Sequence, residues 1–390
     1  MKAEFQIGLL IAAAAVALPA SAEEPGPARG EQIIVVTGRS IEDTRRALAE
    51  CLARKCPPDE DIDATLAHAE NLFVAGDYKA ARRTTLASLG RNRRHARAYP
   101  EPVADLHRAN GRIAAHLGEG RSYEFSTNAI RRSLKAGLGG DDIRLVVADL
   151  EKAGMYASLG QGDRAHRLYG RAEREARRLG RDDIAAHARL RAAWLHRLEG
   201  FPDTARAELE KIAADRTPAA RVTRAAALVL LARLDRQQGR PIAAEALASE
   251  LREVGGDRPV LLFSPPVRLP TNAAGDHWIG SGLERMAMQR FEKQWVDVGF
   301  RIGPSGRVSD VEMIRSQGSK AWAEPVLEAI AARIYTPASR SDGEYRVERY
   351  SLTSLWDYDS PGSRMRQRSS QARIEMLDLT VDPDPEPQSR

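Results

Sequence analysis

The chain has 390 residues, with 59 Lys and Arg against 54 Asp and Glu, a net charge of +5 and an isoelectric point near 9.3. That length suits two or three domains with sizeable cores, and no segment after residue 22 has the length and apolarity of a membrane span. The basic balance is nearly all Arg, and its densest run, RNRRHARAY at 91–99, reads as a solvated helix-end surface rather than a nucleic-acid site. An acidic partner or an anionic membrane surface fits that charge.

The opening segment, MKAEFQIGLLIAAAAVALPASAEEP, has the form of a secretory signal. Lys2 is the basic region, Ile7 to Leu18 the apolar core, and Ala20-Ser21-Ala22 the small-residue cleavage site. The core is about a dozen residues where a bilayer needs about 20, so residues 1–22 are expected to be removed and the product to be periplasmic. The alternative is an uncleaved anchor in the inner membrane. Within 23–61 comes a strand-like run of branched residues, Ile33 to Val36, then SIEDTRRALAECLARK, a helix capped by Ser40 with Asp43 three residues on. The two cysteines, Cys51 and Cys56, are too far round an unbroken helix to pair. Pro57 and Pro58 let that helix end by Lys55 and free Cys56 to fold back, so a disulfide is expected in an oxidising compartment. Zinc is the weaker reading, because no second Cys or His pair stands at ligand spacing.

From 62 to 256 the pattern turns to paired amphipathic helices around recurring glycine turns. Gly76, Gly118, Gly160, Gly200 and Gly239 are separated by 42, 42, 40 and 39 residues, a regularity that predicts stacked helical hairpins. Small residues flank the turns at fixed offsets: Ala69 and Ala81 around Gly76, Ala153 and Ala165 around Gly160, Ala193 and Ala205 around Gly200, Ala232 and Ala244 around Gly239. Gly111 and Tyr123 hold those places around Gly118. On these positions the region resembles tetratricopeptide (TPR) repeats, at a longer period than that family's 34 residues. The resemblance implies a surface that binds proteins or peptides. The histidines of this region (His68, His107, His116, His166, His187, His196) are scattered without ligand spacing, so no metal site is expected among them.

The C-terminal third, 257–360, changes period. Val296, Val298, Phe300 and Ile302 alternate as a strand, 303–306 is a turn, and Val308, Val311 and Met313 form a partner strand with a bulge between 308 and 311. A helix in AWAEPVLEAIAARI and a long strand in YRVERYSLTSLW follow. The order strand, strand, helix, strand, with Gly306, Ser316 and Gly318, Leu327, Ile330, Ile334, Tyr335, Pro337 and Ala338 in sequence, resembles the TonB C-terminal domain. The long proline-rich spacer of the TonB energy transducers is absent. The resemblance implies that the last strand, Tyr345 to Leu355, is a free sheet edge that accepts an extended peptide, for instance from an outer-membrane receptor. Tyr345, Val347, Arg349, Tyr350 and Leu352 would line it. Ile33, Ile34, Val35, Val36 and Thr37 resemble the short segment near the mature start of TonB-dependent receptors, and form a candidate docking segment for that same edge.

Residues 361–390 read as a mostly disordered tail, with ARIEMLDLTV (372–381) as a short ordered segment inside it. No P-loop, G-x-S-x-G elbow or H-E-x-x-H helix occurs, so neither an enzyme nor a cofactor is expected. The expected fold is thus multidomain: an all-α helical-hairpin solenoid followed by a small α+β domain. The expected function is that of a periplasmic protein–protein adaptor. The alternatives are a membrane-anchored energy transducer and an envelope-assembly scaffold whose C-terminal domain only forms a homodimer.

Overall fold

The computed structural model describes residues 40–254, 258–267, 294–318, 322–338, 343–358 and 366–380, with 355–358 and 366–373 as backbone only. The signal segment 1–22 and the docking segment Ile33 to Thr37 lie outside the described residues. No helix among the described residues is long and apolar enough to cross a membrane.

Helix α1 (Ile41–Ala53) starts where Ser40 accepts the Asp43 N–H at 3.0 Å. It ends in a left-handed Lys55, φ 54°, which turns the chain back so that the Cys56 N–H reaches the Cys51 carbonyl at 3.0 Å. Cys51 and Cys56 are joined as a disulfide, their Cα atoms 5.2 Å apart. The face expected to be apolar is only partly buried: Cys51 is enclosed, while Ile41 and Leu52 stay exposed. Polar contacts complete the seating of α1, with Thr44 Oγ1 3.2 Å from His68 Nδ1 and accepting from Asn71 Nδ2 at 3.2 Å. Replacing Cys51 and Cys56 together by Ser is expected to cost about 2 kcal/mol, the chain-entropy value for so short a loop. Equal urea midpoints for the two proteins would refute this.

Ten helices follow: α2 (Pro58–Val74), α3 (Tyr78–Asn92), α4 (Pro100–His116), α5 (Gly120–Gly137), α6 (Ile143–Ser158), α7 (Gly162–Arg178), α8 (Asp182–Leu198), α9 (Pro202–Ala214), α10 (Arg221–Gln237) and α11 (Ala244–Arg252). They form five hairpins, α2–α3 through α10–α11, and each of the five aligned glycines occupies the turn inside one hairpin with φ between 71° and 89°. A left-handed residue stops a helix within one step, and glycine takes that conformation without steric cost. Gly180, φ 69°, plays the same part between α7 and α8, outside the register of the repeat. Ala69, Ala81, Ala153, Ala165, Ala193 and Ala205 are all buried, so paired helices touch where side chains are smallest.

The C-terminal domain contains β1 (Leu261–Phe263), β2 (Trp295–Ile302), β3 (Val308–Gln317), α12 (Glu324–Ala331), β4 (Ile334–Tyr335), β5 (Glu344–Tyr358) and β6 (Arg366–Asp378). The main sheet is antiparallel with order β3-β2-β5-β6, and β1 pairs with β4 beside it. The pairing of β2 with β3 slips opposite Asp310, φ 53°, the bulge expected between Val308 and Val311. Val296, Val298, Phe300, Ile302, Tyr350 and Leu352 point to one face and pack with Trp322, Val326 and Ile330 around α12. Nearly every residue of β2 is buried, whereas alternate burial is the mark of a sheet with one wet face. The reason is that the second face rests on the helical array.

Candidate functional site

The second face of the sheet carries Trp295, Asp297, Arg349 and Ser351, brought side by side by the pairs Trp295↔Ser351 and Asp297↔Arg349. Trp295 packs with Phe73, Tyr78, Ile113 and Leu117 of the first two hairpins, and with Leu377 of β6. Arg349 is fully buried beneath it, its guanidinium 4.0 Å from the centre of a Trp295 ring. Its Nε and Nη2 donate to the two Asp297 carboxylate oxygens at 2.6 and 2.9 Å, and Nη1 donates to the Phe73 carbonyl at 3.2 Å. Burial opposes the charge on Arg349, but the hydrogen bonds it donates to Asp297, with the electrostatic pull of Tyr78 and Asp297, outweigh it, so its pKa lies above the ordinary arginine value. Ser351 Oγ is shared between Tyr78 Oη at 3.2 Å and His116 Nε2 at 2.7 Å. Gly76 faces the indole so closely that a Cβ there would stand 2.6 Å from Trp295 Nε1. At the other end of the array Leu262 of β1 enters the α10–α11 core, and Arg233 donates to the Leu261 carbonyl at 2.6 Å. The small domain is therefore docked on both the first and the last hairpins.

This arrangement corrects the expected peptide edge. Residues Tyr345, Val347, Arg349, Tyr350 and Leu352 lie on β5, an interior strand that has β2 on one side and β6 on the other. The pairs Arg349↔Leu377, Tyr350↔Met376 and Leu352↔Ile374 close the side that was expected to be free. The Val347 carbonyl is already taken by the Leu379 N–H at 2.8 Å. Tyr345 lies beyond these pairs, and its hydroxyl donates to Glu312 at 3.1 Å. The covering strand, 366–378, lies in the segment read as tail; its second half falls in the ARIEMLDLTV stretch expected to be ordered, and its first half extends that order back to Arg366. Alternation shows that a strand exists but carries no information on what lies beside it.

Two surface features were not foreseen. In the third hairpin Lys152 and Tyr156 of α6, with Arg164, Arg167, Leu168 and Arg171 of α7, line an open cleft of about 290 Å³. Four cations and no acid form its wall, and Arg164 and Lys152 lie 5.3 and 5.8 Å from the centre of the Tyr156 ring. Glu124 stands at the rim, accepting from the Tyr156 hydroxyl at 3.0 Å. Burial and then this carboxylate push the Tyr156 pKa up, so the phenol remains a donor at neutral pH. Arg167 has no acidic partner among the described residues. The spacing of Lys152 and Tyr156, four apart, and of Arg164, Arg167, Leu168 and Arg171 puts each set on one helical face, a signal that was present in the sequence.

The second feature joins hairpins three and four. His166 of α7 meets His196 in the last turn of α8 and Glu199 just past its end, with donor atoms all within 4.8 Å of one another. His166 Nε2 is 2.9 Å from Glu199 Oε2, His196 Nδ1 is 3.9 Å from it, and the two rings are 4.5 Å apart at 32°. Spacing along the chain does not reveal this group, because 30 residues separate the two histidines.

No family model matches the chain, and no curated protein matches it. Solved structures do resemble it. BtubC (BKLC) from P. vanneervenii aligns at 15% identity over 59% of this chain and 94% of its own, with a TM-score of 0.41. Nearly identical TPR-like repeats of a kinesin light chain type from Podosopora anserina align at 15% identity over 51% of this chain and 96% of theirs, with a TM-score of 0.37. A Rap protein complexed with competence and sporulation factor aligns at 16% identity over 55% of this chain and 57% of its own, with a TM-score of 0.33.

Proposed function

We propose that the protein is a non-enzymatic adaptor that binds an acidic, extended segment of a partner protein in the cleft of its third hairpin. The observation that carries this reading is the cleft wall itself: Lys152, Arg164, Arg167 and Arg171 grouped around the Tyr156 ring, with no acidic residue among the lining. Arg164 is already shared with Glu124 at 3.9 Å, whereas Arg167 is, among the described residues, free to hold a carboxylate by charge-assisted, two-point hydrogen bonds. The aromatic ring between two cations gives the apolar part of a peptide a surface to lie on. The contacts of the small domain fall on the first two and the last hairpins and, among the described residues, leave the third, with this cleft, uncovered.

The Cys51–Cys56 disulfide supports export to an oxidising compartment, as the signal-like opening segment does. The strand, strand, helix, strand order supports the TonB-like resemblance of the small domain. A second reading, strand addition, rests on a different strand from the one expected. β6 has a neighbour on one side only among the described residues, so an extended peptide would pair there rather than on β5.

A fluorescein-labelled Glu- and Asp-rich peptide, titrated with the full chain and read by anisotropy, tests the cleft. Arg167→Glu with Arg171→Glu is expected to weaken binding by at least tenfold, and raising salt is expected to weaken the wild-type complex. Affinity that is indifferent to both changes would remove the cleft as the partner site. Binding retained by the reversed variant but lost on placing Pro in β6 would favour strand addition instead.

A further inference from the structure

We propose that His166, His196 and Glu199 form a binding site for a divalent transition-metal ion, zinc above all, that staples the third helical hairpin to the fourth. Two imidazoles and a carboxylate are the donor set that zinc, cobalt and nickel take. Ligands about 2.0–2.1 Å from a tetrahedral zinc stand about 3.3 Å from one another. The separations of 2.9 and 3.9 Å from Glu199 Oε2 straddle that value, so small side-chain rotations bring the donors into place.

The surroundings of the carboxylate point the same way. The chain is rich in arginine, and most of its well-placed carboxylates pair with one, as Asp61 does with Arg91 and Asp297 with Arg349. Glu199 instead has the two imidazoles as its partners among the described residues. It lies over the first residue of α7, where a Cβ on Gly162 would stand 1.7 Å from Glu199 Oε1. Glycine at 162 is therefore the condition for this carboxylate position. All three side chains are about one-quarter to one-third exposed, so an ion can enter from solvent. Three protein ligands leave one tetrahedral position for water or for a ligand donated by a partner. The site shares α7 with the cationic cleft but none of its lining residues, and it stands or falls independently of the peptide-binding proposal.

Isothermal titration of the metal-free full chain with zinc chloride, paired with visible absorption of the cobalt-loaded protein, tests the site. One zinc per chain and the intense cobalt bands of a four-coordinate centre are the expected results. His166→Ala and Glu199→Gln should each lower zinc affinity at least tenfold and abolish the cobalt bands, while His95→Ala, outside the group, leaves both unchanged. Gly162→Ala retains the helix, as circular dichroism would verify, and should weaken zinc binding by displacing Glu199. Absence of stoichiometric zinc uptake, or uptake of equal affinity in His166→Ala and Glu199→Gln, would overturn the proposal and leave a hydrogen-bonded His–Glu pair only.

Discussion

Asp297→Ala is expected to lower the unfolding free energy by about 3–5 kcal/mol, the cost of removing one partner from a buried ion pair. Both Asp297 and Arg349 are fully buried, between the sheet and the first hairpins. The substitution strands the Arg349 guanidinium under Trp295, with only the Phe73 carbonyl and Tyr78 left to receive it. Arg315, which also pairs with Asp297, is half exposed and can return to water, so it adds little to the loss. Urea unfolding measures the effect. Combining Asp297→Ala with Arg349→Leu should lose less than the sum of the two single changes, because the second removes the charge that the first abandons. A loss below about 1 kcal/mol for Asp297→Ala would mean that water reaches this pair, and the docking described above would not hold.

Stability is also expected to fall steeply between pH 6.5 and about 4. Burial, with help from Arg132, holds the His107 pKa down at about 4, and burial with Arg191 does the same for His187. His68 is lowered too, again by burial first and then by Arg45. His107 Nδ1 has no hydrogen-bond partner among the described residues, so a proton placed there has nothing to bond to. Each folded-state pKa lies below the unfolded value near 6.5, hence the unfolded chain binds more protons in this window. The contribution is fully present above pH 6.5 and is lost as pH falls towards the folded pKa, at up to about 3 kcal/mol for each of His107 and His187. Salt-bridged carboxylates with lowered pKa, Asp61 and Asp183 among them, withdraw their own contribution mainly at lower pH. Replacing His107 by Leu should flatten the stability profile between pH 4 and 6.5 by about 1.4 kcal/mol per pH unit, one proton's worth. A profile with the wild-type slope would show that His107 is protonated in the folded protein.

Both results depend on contacts that a reading of the sequence reaches only in part. The elements of the small domain are visible in alternation: Val296, Val298, Phe300 and Ile302 mark a strand, and they do line the α12 core. The intervening Trp295, Asp297 and Gly299 look like an outer, wet face by the same logic. Trp295 and Asp297 are buried against the hairpin that carries Phe73 and Tyr78, more than 200 residues earlier in the chain, and Gly299 is covered by Tyr345 and Ile314 of its own sheet. Arg349 shows the difference most sharply. Set among Glu348, Arg346 and Tyr345 it reads as an edge charge, and in the structure it is a fully enclosed cation that holds two domains together.

The sequence was enough to specify the helical array: glycines recurring every 39 to 42 residues each end a helix in a left-handed turn, and the alanines beside them set where helices touch. Those signals are local, since capping, helical periodicity and the steric freedom of glycine act within a few residues. It also placed the Cys51–Cys56 pairing, through the prolines that stop α1. The covering of β5 by β6, the seating of the sheet on Phe73, Tyr78 and His116, and the meeting of His166 with His196 and Glu199 emerge only in three dimensions. Each of these joins segments whose sequence separation leaves no periodic trace, and each is set by which buried surfaces and hydrogen bonds fit together in the folded chain.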